Sequence, residues 1–218
     1  MSIWDNNDSN GFNTLVQRNI GQINLDSEMG SFIYKIASNN NYKTFLEIGT
    51  WNGLGSTKCF VEGFKNRQTE FIFYSLECNS DKYEFAKNLY QNTRNIHILN
   101  EVIINTMPED IYNKFPELQN NENYKYWNNI DFENMKNKPL FLSRSDIPDI
   151  FDVLLLDGGE FTTWYEYQKL KNKCNLIILD DANTSKCKDI KSELKNSNDW
   201  NLIIESDERN GYAIFEKK

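Results

Sequence analysis

The stretch Phe45-Leu46-Glu47-Ile48-Gly49-Thr50-Trp51-Asn52-Gly53-Leu54-Gly55-Ser56-Thr57 constrains this chain more than any other. An apolar run carrying an acid near its end is followed by three glycines and then by two hydroxyls. That order suits a buried strand, a tight turn and a helix start. Glycine lets the backbone approach a ligand closely, and a helix N-terminus offers unpaired N–H groups to a carboxylate or phosphate. On its own, the loop predicts an α/β fold with a nucleotide-like ligand seated on the turn after the strand.

The rest of the chain repeats the alternation of short apolar runs and longer amphipathic stretches that βα units around a parallel sheet require. Ser27 caps a helix through Ala37, with Met29, Phe32, Ile33, Ile36 and Ala37 on one face. Strands are predicted at residues 44–48, 71–76, 96–99, 151–156 and 176–179, and helices at 56–65 and 81–92. The runs at 151–156 and 176–179 are apolar throughout, as sheet-centre strands buried on both faces are. Residues 201–205 and 212–216, around the turn-like Arg209-Asn210-Gly211, read as a closing antiparallel hairpin. The expectation is an α/β, Rossmann-like, seven-stranded and mostly parallel sheet. Between Ile104 and Ile150 the pattern breaks into a polar, aromatic-dotted segment with four prolines. It is too long for an ordinary loop, so residues 105–150 are read as a substrate-side insertion or lid.

At 218 residues the chain matches one full domain, here preceded by an extension over residues 1–26. Its 32 acidic and 24 basic side chains give a net charge of -8, with no basic patch, which argues against nucleic acid as a partner. The four cysteines lack CxxC spacing, so neither a zinc knot nor a disulfide framework is expected. The N-terminus is polar, and no run approaches the roughly 20 apolar residues of a membrane span. A soluble, cytoplasmic protein is the expectation.

The spacing within the loop narrows the ligand. A dinucleotide site runs GxGxxG with an acid about 20 residues later. Here the loop runs Gly-x-x-x-Gly-x-Gly, and the next strand-end acid, Glu77, comes later. At the sheet's switch point, the Glu77 carboxylate is placed to accept both hydroxyls of a ribose. NAD remains the second choice of ligand. Together, Glu-x-Gly-x-x-x-Gly-x-Gly-Ser and the strand-end Glu77 resemble the first two motifs of class I S-adenosylmethionine-dependent methyltransferases. The resemblance covers residues 27–215. It implies that Glu47, Gly49, Thr50, Gly53 and Ser56 surround the methionine part of S-adenosyl-L-methionine, that Glu77 holds the ribose, and that Asn100 or Glu101 meets the adenine edge.

Asp157, Asp180 and Asp181 follow two runs predicted as neighbouring strands, which would bring their side chains together at the carboxyl edge of the sheet. Convergent carboxylates repel unless a positive charge neutralises them, and an oxygen-only cluster favours Mg²⁺, Mn²⁺ or Ca²⁺ over zinc. The alternative is that Asp157 and Asp180 cap the helices that follow. The pattern is similar to that of metal-dependent O-methyltransferases acting on antibiotic sugars. That resemblance implies Mg²⁺ held by Asp157, Asp180 and Asp181, and catalysis by Asp157 together with a general base. Those enzymes carry Asp-x-Asp after the fourth strand; here Gly159 takes the second place, and Glu160 is the nearest substitute for the base.

His97 is expected to pack or face the edge of its short strand. Tyr124, Tyr126, Trp127, Phe132, Trp164, Tyr165 and Tyr167 are read as packing the insertion or stacking on a sugar ring. Lys186 and Arg209 are available to orient an acidic or phosphorylated acceptor but are read as solvated counterions. The expected activity is O-methyl transfer to a sugar hydroxyl of a carbohydrate acceptor, in a glycan or glycoconjugate. The homo-oligomeric state and fusion to glycosyltransferase domains stay open. Two rivals stand beside it: an NAD- or nucleotide-sugar-binding enzyme, and a methyltransferase-fold module without catalysis.

Overall fold

The computed structural model describes residues 22–218. Residues 1–21 of the expected N-terminal extension lie outside the described part. Helix α1 (Glu28–Ser38) starts as the capping pattern requires. Ser27 Oγ accepts the Gly30 N–H, and Met29, Ile33 and Ala37 are buried. Then follow β1 (Thr44–Ile48), α2 (Ser56–Phe64), β2 (Ile72–Leu76), α3 (Ser80–Tyr90) and β3 (Ile96–Leu99). The helix expected from residue 81 starts at Ser80, because the Asn79 side chain accepts the N–H groups of Asp81 and Lys82 and caps it.

The segment between β3 and the fourth strand is helical. It contains α4 (Ile111–Lys114), α5 (Glu117–Asn120), α6 (Glu122–Met135) and a 3₁₀ turn (Phe141–Ser143). Ile111, Phe115, Leu118 and Phe132 form a small core of their own with Phe161. Both ends of the excursion are pinned together: the Val102 N–H donates to Pro139 O at 3.1 Å, and the Phe141 N–H donates to Val102 O at 2.9 Å. The expected insertion is therefore a closed, packed subassembly seated beside the end of β3.

The chain then runs through β4 (Phe151–Leu156), α7 (Thr163–Leu170), β5 (Cys174–Asp180), α8 (Lys188–Asn196), β6 (Trp200–Ser206) and β7 (Tyr212–Lys217). The strand expected at 176–179 is longer because it is paired on both sides. It runs parallel to β4 and antiparallel to β7, and that second ladder takes in Asp180 opposite Tyr212.

The seven strands lie in the order β3-β2-β1-β4-β5-β7-β6, with β7 antiparallel to both of its neighbours. The period-2 alternation of strand side chains divides the core between the two faces. Leu46, Tyr74, Leu154 and Ile177 face α7 and α8, whereas Phe45, Phe73, Val153 and Ile178 face α1 and α2. In register, Ile48 pairs with both Leu76 and Leu156, and Leu156 pairs with Leu179. The residues that follow these partners, Gly49, Glu77, Asp157 and Asp180, therefore share one edge. Strand order reverses at β1 and β4, the crevice where ligands of open α/β sheets bind. Among the described residues, no helix is long and apolar enough to cross a membrane.

Candidate active site at the carboxyl edge of the sheet

Gly49 begins the loop after β1 with φ at +95°, and a Cβ there would fall 2.0 Å from the Asp157 carbonyl oxygen. Any other residue would push the first loop off the end of β4. The Glu47 carboxylate anchors the loop from inside. Its Oε1 accepts from Ser56 Oγ at 2.6 Å, and its Oε2 accepts from Thr57 Oγ1 at 2.7 Å and Ser75 Oγ at 2.5 Å. Glu47 is fully buried, and that burial pushes its pKa up, Glu77 adding to the rise, against the three hydroxyl donors. Thr50 joins the same network through Ser75. The structure thus makes Glu47, Thr50 and Ser56 a brace that shapes the loop. Gly53 meets Ala86 and Tyr90, and the Tyr90 hydroxyl donates to Gly53 O at 2.5 Å.

Glu77 stands where a ribose grip is expected. Its Oε2 accepts the Trp51 N–H at 2.7 Å and its Oε1 the Asn79 N–H at 2.8 Å, so β2 is tied to the glycine loop. The Cys78 thiol also reaches Oε1 at 3.9 Å, and Oε2 keeps a lone pair for a further donor. Burial raises its pKa, opposed by Lys82 and the two backbone donors. Asn100 braces the same corner by donating to the carbonyls of Glu77 and Cys78. Glu101 pairs with Arg144 at 2.6 Å through Oε1. The buried Glu101 Oε2 and Asn52 Nδ2 have no hydrogen-bond partner among the described residues. Unmatched polar atoms on the loop and beside β3 fit a polar ligand lying across β1 and β2, since a buried group left unpaired costs about 1–3 kcal/mol.

On the other side of β1, Asp157, Asp180 and Asp181 each present a carboxylate oxygen, all within 4.8 Å of one another. Neither Asp157 nor Asp180 caps a following helix, for Thr162 and Cys187 hold the N-cap positions of α7 and α8. The sequence reading of Lys186 is overturned here. Its ammonium is buried between the carboxylates, 2.8 Å from Asp157 and 2.6 Å from Asp181. Arg209 approaches Asp180 at 3.5 Å. Burial raises the pKa of Asp157, and Lys186 opposes the shift. Burial, then Asp157 and Asp181, push Asp180 up to about 7. Burial acts upward on Asp181 too, but Lys186, Asn210 and Arg209 outweigh it and hold this carboxyl low. Burial opposes the charge on Lys186, and the three aspartates overcome it, keeping the lysine protonated. Asp181 adopts the left-handed region with φ at +49° and accepts the Asn210 amide at 2.9 Å. Such strain persists only where the surroundings over-determine it.

Beside this cluster lies a cleft of about 380 Å³ whose walls include Tyr124, Trp127, Glu160 and Thr184. Of the aromatic residues singled out in the sequence, Tyr124 and Trp127 line it. Phe132 and Tyr167 are buried, Trp164 lies under the Lys114 ammonium at 3.8 Å, and Tyr126 is exposed. Glu160 Oε1 accepts the Lys186 backbone N–H at 3.2 Å. His97 is exposed on β3 and stacks on Tyr74, away from the cleft. Three polar residues not singled out in the sequence belong to this region: Asn128 and Asp131 on α6, and Glu166 on α7. Asn128 and Asp131 were legible only as a three-residue spacing on a helix that the polar composition concealed.

No protein-family model and no curated relative matches the sequence. Solved structures do match. A Staphylococcus aureus protein assigned as a caffeoyl-CoA O-methyltransferase shares 14% identity at a TM-score of 0.60, over 95% of this chain and 90% of that one. A Bacillus cereus O-methyltransferase in complex with S-adenosylhomocysteine shares 11% identity at 0.58, over 95% and 88%. The S-adenosylhomocysteine-bound Podospora anserina methyltransferase PaMTH1 shares 12% identity at 0.54, over 87% and 77%. With its strand order and closing antiparallel hairpin, the chain has the class I S-adenosylmethionine-dependent methyltransferase fold.

Proposed function

We propose that the protein is an S-adenosylmethionine-dependent O-methyltransferase acting on one of two vicinal hydroxyls, with a sugar as the favoured acceptor. The observation that carries this reading is the placement of two different sites on either side of β1. The glycine loop tied to Glu77 lies on the β2 side, and the carboxylate cluster with its adjoining cleft lies on the β4 and β5 side. In this reading Gly49, Gly53 and the Trp51 backbone shape the cofactor bed, Glu77 accepts the ribose hydroxyls, and Asn100 and Glu101 border the adenine. When bound, the cofactor supplies a methyl group on a sulfonium, ready for in-line displacement. Tyr124 and Trp127 hold the acceptor ring against the cleft wall, and Glu160 faces its polar groups.

The donor set of Asp157, Asp180 and Asp181 fits a hard divalent cation such as Mg²⁺, by oxygen chemistry and by spacing. Such an ion would supply Lewis acidity to an acceptor hydroxyl. Lys186 now carries the counter-charge between two of these ligands and must move aside for an ion to bind there.

The test is a binding and turnover series. S-adenosylhomocysteine binds by calorimetry, and Glu77→Ala weakens it by roughly tenfold or more, the cost of about one charge-assisted hydrogen bond. Labelled methyl passes from S-adenosylmethionine to a panel of methyl glycosides and catechol, and excess chelator suppresses the transfer. Binding of NAD or a nucleotide sugar in place of S-adenosylhomocysteine removes the reading, and full activity in chelator removes the metal.

A further inference from the structure

Removing the proton from an acceptor hydroxyl requires a group that is free to receive it, and most carboxylates at this sheet edge are already committed. Glu47 holds three hydroxyls and Glu77 two backbone N–H groups. Asp157 and Asp181 grip Lys186, and Asp180 faces Arg209. Glu160 accepts the Lys186 N–H. Glu166, on α7, has an Oε2 without a partner among the described residues, but it is 4% exposed, closed off from an acceptor, and burial pushes it up to about 8. Asp131 is different: it is half-buried and accepts no hydrogen bond among the described residues.

Its position is as specific as its freedom. A Cβ on Gly159 would lie 2.5 Å from Asp131 Oδ2, so this carboxylate fills the space that a side chain two residues after Asp157 would occupy. Asp131 also continues the face of α6 that carries Tyr124 and Trp127, three and four residues apart, and those two line the acceptor cleft. Asn128, on the adjoining turn, is 1% exposed, and neither of its amide atoms has a partner. The space between α6 and the sheet edge is therefore polar and unsatisfied on the side where a substrate's hydroxyls would complete it.

We propose that Asp131 is the general base of the methyl transfer, delivered by the insertion helix into the place that Gly159 leaves open. The proposal rests on the O-methyltransferase reading. The acceptor's O–H proton passes to the Asp131 carboxylate, and the freed oxygen pair forms the new bond to the methyl carbon. The pair of the breaking S–CH₃ bond returns to sulfur, leaving S-adenosylhomocysteine. The groups facing Asp131 suit a base working near neutrality. Burial pushes it up to about 6, Lys82 on α3 and Lys186 after β5 pull it down, and Glu160 pushes it further up. Across the same space, Asp131 raises Glu77 and Glu166 in turn.

The test compares Asp131→Asn, Glu160→Gln and the swap Asp131→Gly with Gly159→Asp, using the glycoside and catechol panel and S-adenosylhomocysteine affinity in parallel. The expected result for Asp131→Asn is a loss of roughly 100-fold or more in kcat, with affinity for S-adenosylhomocysteine within threefold of the wild type. The acidic limb of the wild-type kcat/KM profile, near pH 6, disappears in Asp131→Asn and persists in Glu160→Gln. The swap, which returns a carboxylate to the same place from β4, regains at least tenfold over Asp131→Asn. An Asp131→Asn enzyme within threefold of wild-type turnover overturns the proposal. So does one whose loss of activity is matched by its loss of S-adenosylhomocysteine binding, which would make Asp131 a cofactor contact. A wild type that binds S-adenosylhomocysteine and methylates nothing in the panel removes the hydroxyl-transfer reading, and the base with it.

Discussion

Lys186 carries its charge into a nest of three carboxylates and is the best-placed competitor for any ion bound there. An ammonium tethered to the chain needs no binding from solution, so it sets a threshold that a divalent ion must exceed. Replacing it with the apolar Lys186→Met leaves Asp157 without its partner and Asp181 with only Asn210 and Arg209, and an uncompensated buried charge is strongly destabilising. The expected outcome is a lower melting temperature without metal and a Mn²⁺ affinity at least tenfold tighter than wild type by calorimetry. Unchanged Mn²⁺ affinity would show that the lysine and the ion do not share the site. The sequence placed the three aspartates correctly at one edge, because strand ends in register carry their following residues together. It did not show Lys186 entering the cluster. That depends on the turn after β5 folding back, with the Ala182 and Asn183 N–H groups donating to the carbonyls of Gly211 and Asn210.

At the scale of elements, the parallel strands and their helices were legible because burial on both faces leaves uninterrupted apolar runs such as Val153 to Leu156. The insertion was not, because α4 and α5 are four residues each and the fourteen-residue α6 is polar, burying only Asn128, Phe132 and Met135. Leu118 and Phe132 lie fourteen residues apart and meet only through the fold. That small core also positions the α6 face carrying Tyr124, Trp127 and Asp131. Leu118 is fully buried, so Leu118→Ala is expected to cost about 2–5 kcal/mol of local stability. Hydrogen exchange should speed up across α4 to α6 while β1 and β4 keep their protection. A uniform loss of protection across the sheet would mean that the insertion unfolds only with the whole molecule.

For the molecule as a whole, several buried acids titrate late. Glu166 is pushed up to about 8 by burial and then by Asp131, and Asp131 itself to about 6 by burial. A carboxyl with a raised folded pKa contributes stability that is fully present below its unfolded value and is lost as pH rises through the folded one. The ligand-free protein should therefore melt roughly 5–10 °C lower at pH 8.5 than at pH 5.5. Glu166→Gln should flatten that slope, and a wild-type melting temperature that rises over this window would refute the argument. One further consequence follows from the strand order. β7 lies between β5 and β6 although it follows both in sequence, and the turn leading into it supplies Asn210 to Asp181 and Gly211 to Ala182. As the chain emerges from the ribosome, β1 to β5 can pair before β7 exists, whereas the strained Asp181 gains its support only after the hairpin slots in. The carboxylate cluster thus matures only after β1 to β5 have been made, and a nascent chain can hold most of its sheet while still lacking its chemistry.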